Sequence, residues 1–344
     1  MQKELTEISK IGEFGLINKI SDAVKLYNPE SEKGIGDDAA ILNFNGSKIL
    51  VATDMLTEGV HFDLSYMPLQ HLGYKAVAIN LSDIYAMNGE PKQITVSIGL
   101  SSRFSVEHVE EIYKGINKAC ELYKVDIVGG DTVASLSGLI ISITAIGVVN
   151  SKEITMRSGA QENDLICVSG DLGAAYLGLK LLTREKAALE VAPHQQPQFG
   201  GYEYLIERQL KPEPRRDIYN KLKEASIIPT SMIDISDGLS SELMHICKSS
   251  GKGCRIYDEK IPIHEQSIRL CDEFNIDPTI PALNGGEDYE LLFTIKQSDY
   301  ERIEKIENVS VIGHITSYKD LCEIVFRDGT AVPLTAHGWN AFES

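Results

Sequence analysis

Gly34-Ile-Gly-Asp-Asp-Ala-Ala40 is the stretch on which the chain turns. Two glycines let the backbone turn sharply and come close to a ligand. Two adjacent carboxylates follow, and such pairs pack poorly but bind hard cations such as Mg²⁺ well. Ala39 to Asn43 then reads as a strand, Asn45-Gly46 as a tight turn, and Lys48 to Thr53 as the partner strand. That hairpin predicts Asp37 and Asp38 close to Thr53 and Asp54.

Four later stretches repeat the pattern of an apolar run ending in aspartate: Ala52-Thr-Asp54, Leu81-Ser-Asp83, Gly129-Gly-Asp131 and Asp234-Ile-Ser-Asp237. Asp38, Asp54, Asp83, Asp131, Asp234 and Asp237 thus stand at strand ends, glycine turns and helix starts, where sites are built. Gathered without cations, six carboxylates repel one another; two or more Mg²⁺ ions turn that repulsion into attraction and can bridge substrate phosphates. The alternative is six separate turn and capping residues.

Between these stretches, helices and strands alternate irregularly. Helices are predicted over Glu13–Tyr27, Pro68–Met87, Val106–Tyr123, Ala174–Leu182, Tyr204–Gln209 and Leu239–Ser249, the last with Asp237 as N-cap. Val125 to Val128 reads as a short buried strand, and Leu139 to Val149 as the strand that completes a first sheet. Asn28–Lys33 and Lys186–Gly201 read as irregular. A composition shift at 150–161, with Met156-Arg157-Ser158-Gly159-Ala160 as the join, predicts residues 1–150 and 151–344 as two domains. The fold class is α/β with mixed sheets, two sandwich-like domains rather than one doubly wound parallel sheet.

The 344 residues carry a formal net charge of −17 and are 43% hydrophobic. That balance argues against nucleic acid, which needs a basic face. No run approaches a membrane span, and Met1-Gln-Lys-Glu-Leu-Thr-Glu lacks a signal-peptide core. Six cysteines without a CxxC pair read as reduced structural thiols of a cytoplasmic protein. No P-loop, dinucleotide fingerprint, HExxH or GxSxG motif is present. Gly129-Gly130-Asp131 reads either as an anion nest or as a turn, and Arg157 as a phosphate clamp or a surface arginine. His61 reads locally as a packing residue. Glu287, in Asn284-Gly-Gly-Glu-Asp-Tyr-Glu290, is a carboxylate for a cationic group or part of a turn. Trp339 is a stacking surface or a core anchor.

Taken in order, Gly12-Glu-Phe-Gly-Leu-Ile17, Gly34–Ala40, Thr53-Asp54, Glu58-Gly-Val-His61-Phe, Asn80-Leu-Ser-Asp83, Gly129-Gly-Asp131-Thr132, Arg157-Ser-Gly-Ala160, Asp234-Ile-Ser-Asp-Gly-Leu239 and Gly285-Gly-Glu-Asp-Tyr-Glu290 resemble the thiamine-monophosphate kinases. The resemblance runs from about residue 11 to Trp339. It implies an N-terminal domain that dimerises through its sheet, a C-terminal α/β domain, and ATP with several Mg²⁺ ions between them. It implies direct transfer of the γ-phosphoryl of ATP to the phosphate of thiamine monophosphate, giving thiamine diphosphate and ADP. By the same resemblance Asp38, Thr53, Asp54, Asp83, Asp131, Asp234 and Asp237 hold metal. Tyr113, Gly130, Asp131, Arg157 and Ser236 contact ATP, and His61, Glu287 and Trp339 hold thiamine monophosphate. No general base is implied, because the accepting phosphate is already a nucleophile. Ala52 departs from the pattern, since many members carry a hydroxyl there. The rival readings are a related ATP-dependent synthetase, a multi-metal phosphohydrolase, and a non-catalytic metal-binding protein.

Overall fold

The computed structural model describes residues 31–336 apart from 34, 35, 45, 46, 193, 195 and 320. The predicted helix Glu13–Tyr27, the Asn45-Gly46 turn and Trp339 lie outside the described residues.

Two sheets organise the rest. The first contains β1 (Ser31–Lys33), β2 (Ala40–Phe44), β3 (Ser47–Thr57), β4 (Glu90–Leu100), β5 (Asp126–Ala134) and β6 (Ile140–Val149), in the order β1-β2-β3-β6-β4-β5. β2 and β3 form the antiparallel hairpin that the sequence predicts. β6, the strand expected to complete the sheet, does so from its interior, between β3 and β4. Two expectations need correcting. Ser31–Lys33, expected to be irregular, is strand β1. The short buried strand at Val125–Val128 is instead a nine-residue edge strand, exposed throughout, that runs straight through Gly129-Gly-Asp131. Gly130 permits this, because a Cβ there would lie 2.0 Å from the carbonyl oxygen of Val96 on β4.

One face of this sheet is covered by α1 (Leu69–Ala86) and α2 (Val106–Tyr123). The helices approach closely at two glycines: a Cβ on Gly73 would meet the Ile112 oxygen at 2.0 Å, and one on Gly115 the Gln70 oxygen at 1.9 Å. α1 is buried almost all round. It packs on β3 and β6 on one side and on elements of the second half of the chain on another. Among the described residues no helix covers the other face of the sheet. Met55, Val133 and Val148 are exposed there beside Thr53, Ser97, Ser142 and Thr144.

The second sheet has β7 (Leu165–Ser169), β8 (Ser231–Asp234), β9 (Gly253–Tyr257), β10 (Leu291–Ile295), β11 (Val309–Thr316), β12 (Cys322–Val325) and β13 (Ala331–Pro333). Its order is β13-β12-β9-β11-β7-β10-β8, antiparallel except for β9 with β12. Its helices are α3 (Ala174–Val191), α4 (Glu203–Leu210), α5 (Arg216–Glu224), α6 (Leu239–Ser250), α7 (Glu265–Phe274) and α8 (Thr279–Asn284). α3 runs nine residues past the predicted end at Leu182, so Lys186–Val191 is helical rather than irregular. Asp237 is not the N-cap of α6. Gly238 is, at φ +118° and with no side-chain cap. All six cysteines are buried and free, as expected, and Cys247, Cys254 and Cys322 pack together in the second core.

The segment between the sheets is tied to both. Thr155 N–H donates to Met87 O, and Met232 N–H on β8 donates to Met156 O. This fixes Arg157 beside the edge of β8.

Candidate functional site

The hairpin, α1 and β8 converge, and each delivers an aspartate. Carboxylate oxygens of Asp38, Asp83 and Asp234 lie within 4.8 Å of one another. Asp38 ends the turn before β2, Asp83 sits in the last turn of α1, and Asp234 ends β8. Asp54 on β3 adjoins them. Its N–H donates to Asn80 Oδ1 at 2.9 Å, and Asn80 Nδ2 in turn donates to Ala76 O, so α1 locks the strand into register. Ser82 Oγ donates to Asp234 Oδ2 at 2.6 Å, which joins α1 to β8.

Among the described residues one cation reaches this group. Arg157 clamps Asp38 with two parallel hydrogen bonds, Nε to Oδ2 at 3.0 Å and Nη2 to Oδ1 at 2.8 Å. Its main-chain N–H donates to Asp37 Oδ1. Four carboxylates against one guanidinium leave an excess of negative charge in a poorly solvated place. Burial and then Asp38 push Asp54 up to about 6. Burial pushes Asp234 up to about 6, although Ser82 and Arg157 pull it down. Burial pushes Asp38 up to about 7 against the pull of Arg157. Asp83 rises well above the usual carboxylate range through burial and then Asp54, Asp234 and Asp38. A set of hard oxygen donors carrying too much charge suits Mg²⁺.

A second loop closes on the cluster. Glu287 N–H donates to Ser236 O at 2.7 Å, Tyr289 N–H to Ile235 O, and Ile235 N–H to Glu290 O. Ser236 and Glu287 are thereby neighbours. Glu287 and Tyr289 both take positive φ, +67° and +51°, a strained backbone for residues other than glycine. Tyr289 is buried between Glu287 and the aspartates, and burial and those charges hold its hydroxyl protonated. Asp237 lies one residue beyond Ser236, and its N–H donates to Glu242 Oε1.

The remaining residues singled out by sequence lie elsewhere. Thr53 follows the strand alternation onto the sheet face opposite Asp54, where its Oγ1 donates to Ile143 O and accepts from Thr144. Asp131 stands on that same exposed face of β5, in register with Ser97. β6 and β4 separate the strands of Thr53 and Asp131, so they are about 14 Å apart. Tyr113 packs partly buried on the first core from α2. His61 lies in the turn after β3, with its Nδ1 accepting from Thr57 N–H. Sequence reasoning did not single out Ser82 or Glu242. A small hydroxyl residue beside Asp83 and a glutamate five residues after Asp237 were the available signals.

Comparison with known proteins identifies the family. Residues 36–149 match the family model described as "AIR synthase related protein, N-terminal domain". The thiamine-monophosphate kinase of Aquifex aeolicus (strain VF5) is 35% identical over 335 residues, covering 97% of this chain and 99% of that protein. The thiamine-monophosphate kinase of Bacillus subtilis (strain 168) is 33% identical, covering 96% and 99%. The solved structure "AaThiL complexed with AMPPCP and TMP" superposes with a TM-score of 0.83 at 33% identity, over 98% of this chain and 99% of that one. The motifs, the two sheets and the full-length likeness agree: this chain belongs to the thiamine-monophosphate kinase family.

Proposed function

We propose that this chain phosphorylates thiamine monophosphate with ATP, forming thiamine diphosphate and ADP, as a step of thiamine diphosphate biosynthesis. The observation that carries this reading is the convergence of Asp38, Asp54, Asp83 and Asp234 in one buried, over-charged cluster. The family relatives supply the substrates: a structure of this fold was solved with AMPPCP and TMP.

The cluster would hold several Mg²⁺ ions, whose positive charge would offset the negative charge of the phosphates of both substrates. The chain's own residues then position the partners. Asp38, Asp54, Asp83, Asp234 and Asp237 hold the metal side. Thr53 and Asp131, given their separation, serve different ions. Arg157 has a fork that fits phosphate as well as it fits Asp38, so it exchanges one for the other when ATP enters. Tyr113, Gly130, Asp131 and Ser236 line the ATP side. His61, Glu287 and Trp339 hold the acceptor, whose thiazolium ring is cationic and suits a carboxylate. No side chain is needed to remove a proton, because a phosphate oxygen attacks directly.

Residues 1–150 form the metal-binding domain and residues 151–344 the domain that completes the site. A homodimer forms through the face of the first sheet that no described helix covers, where Met55, Val133 and Val148 are exposed. Buried free thiols suit a cytoplasmic setting, and no described helix is long and apolar enough to cross a membrane.

The test is one incubation of the pure protein with ATP, Mg²⁺ and thiamine monophosphate. Equal amounts of ADP and thiamine diphosphate support the kinase. ADP with free phosphate and no thiamine diphosphate would point to a phosphohydrolase.

A further inference from the structure

Next to the aspartate cluster lies a second buried polar group that the reaction above does not use. Lys75 sits inside α1, about two turns before Asp83, and is only 1% exposed. Burying an ammonium is expensive unless its partners are well placed. Lys75 Nζ lies 3.0 Å from Glu287 Oε1 and donates to the main-chain oxygen of Gln209 at 3.1 Å. Gln209, near the end of α4, is 2% exposed, and its Nε2 donates to Glu287 Oε2 at 2.7 Å. Each oxygen of the Glu287 carboxylate therefore has its own donor, one from each half of the chain.

Two details indicate that this clamp is held for something other than stability. Glu287 adopts its positive φ within the clamp. The other end of the Gln209 amide, Oε1, is buried and has no hydrogen-bond partner among the described residues. Flipping the amide would turn its oxygen toward the Glu287 carboxylate and lose that hydrogen bond. The side chain leaves one acceptor unpaired, at a cost, to keep a donor on Glu287. Glu287 is not sealed in, since 27% of its side chain stays exposed, so a ligand can still reach it.

We propose that Lys75 and Gln209 are positioning residues for acceptor recognition: together they fix the Glu287 carboxylate in the orientation that receives the cationic thiazolium ring of the acceptor. The inference rests on the reading of Glu287 as an acceptor-side residue. It links the acceptor pocket to α1, the helix that also carries Asp83, so acceptor and metal are registered on one rigid element.

The experiment is steady-state kinetics with Mg²⁺, varying thiamine monophosphate and ATP separately. The proteins are the wild type, Lys75→Met, Gln209→Met, Glu287→Gln and the double variant Lys75→Met/Glu287→Gln. Lys75→Met and Gln209→Met are expected to raise KM for thiamine monophosphate about 10- to 100-fold, the range for losing a hydrogen bond to a charged group. KM for ATP should stay within about twofold. In the Glu287→Gln background, Lys75→Met should add little, because it acts through that carboxylate. Gln209→Met leaves every charge in place, so it decides the matter even where Lys75→Met fails to fold. Equal rises in both KM values, or full additivity with Glu287→Gln, would reduce the clamp to a structural role and overturn the proposal. A strong Glu287→Gln effect with silent Lys75→Met and Gln209→Met would overturn it while leaving the kinase reading intact. A silent Glu287→Gln would remove the acceptor role of Glu287 and the proposal with it. Absence of thiamine diphosphate with the wild type would strike the reaction itself.

Discussion

Two buried carboxylate groups in this molecule differ in how much counter-charge the chain brings to them. Around Glu290, Arg208 Nη1 lies 2.6 Å from one oxygen and Arg215 Nη1 2.7 Å from the other, with the hydroxyl of Ser169 donating as well. Arg208 also faces Asp288, whose oxygens accept the N–H groups of Gly173 and Ala175 at the start of α3. Two guanidiniums meet two carboxylates, and the group is closed. Around Asp54, four carboxylates meet one guanidinium, and the group is open. Burial is common to both. What differs is whether the chain supplies the counter-charge or leaves it to be supplied, and only the second arrangement makes a site. The closed network has a supporting role, because it anchors Asp288 and Glu290 on either side of Tyr289 and so sets the loop that carries Glu287.

The largest effect that would test the contrast is on turnover. Asp54→Asn or Asp83→Asn should lower kcat at least about a thousandfold, in the range for losing preorganised charge stabilisation, while near-native circular dichroism is kept. Activity within tenfold of wild type in either variant would break the assignment. Second comes stability, where the two groups should respond with opposite sign. Glu290→Gln leaves Arg208 and Arg215 underpaired in the interior and should cost about 3–5 kcal/mol in denaturant unfolding. Asp83→Asn in metal-free protein relieves repulsion and should leave stability unchanged or raise it by about 1 kcal/mol. Equal losses in both variants would erase the distinction between closed and open.

The third prediction concerns pH. Asp54 and Asp234 are raised to about 6 and Asp38 to about 7 in the folded chain, against an ordinary value near 4 when unfolded. A raised carboxylate binds its proton more tightly when folded, so its stabilisation is full below about pH 4 and is lost as pH rises through 6 to 7. Chelator-treated protein should therefore melt at progressively lower temperature from pH 4 to 7.5, and Mg²⁺ should restore the loss at the upper end. A flat profile would mean that the cluster is solvated rather than over-charged. The smallest effect sharpens the assignment of Thr53: Thr53→Val, on the opposite face of β3 from Asp54, should reduce kcat far less than Asp54→Asn, by about tenfold or less if it loses one hydroxyl contact.

Much of the open group was legible in the sequence. Asp38, Asp54, Asp83 and Asp234 each end an apolar run beside a turn or helix end, and a buried run that stops in a carboxylate must bring it near something. The β2–β3 hairpin added a local reason for Asp38 to meet Asp54. Strand order was not legible. Placing β6 and β4 between β3 and β5 depends on long-range pairing, and this is what separates Thr53 from Asp131. The face that Thr53 takes follows from simple alternation, which puts it opposite Asp54. The exposure of β5 was missed because an Ile-Val run looks buried whether it is covered by the same chain or by another. The closed group was illegible for a different reason. Arg208 and Arg215 flank a Pro-broken stretch that reads as surface, and a lysine such as Lys75 in an apolar helix reads as a solvent-facing exception.

The hydrogen bond between Ser82 and Asp234 spans 152 positions of the chain. Joining two points so far apart in a flexible polymer costs about 4–5 kcal/mol in closure entropy alone. The hairpin can bring Asp38 to Asp54 early, within about twenty residues of chain. Asp234 can join them only once β8 has packed on α1. The aspartate cluster therefore draws on both halves of the chain, and its integrity reports whether the two halves have come together.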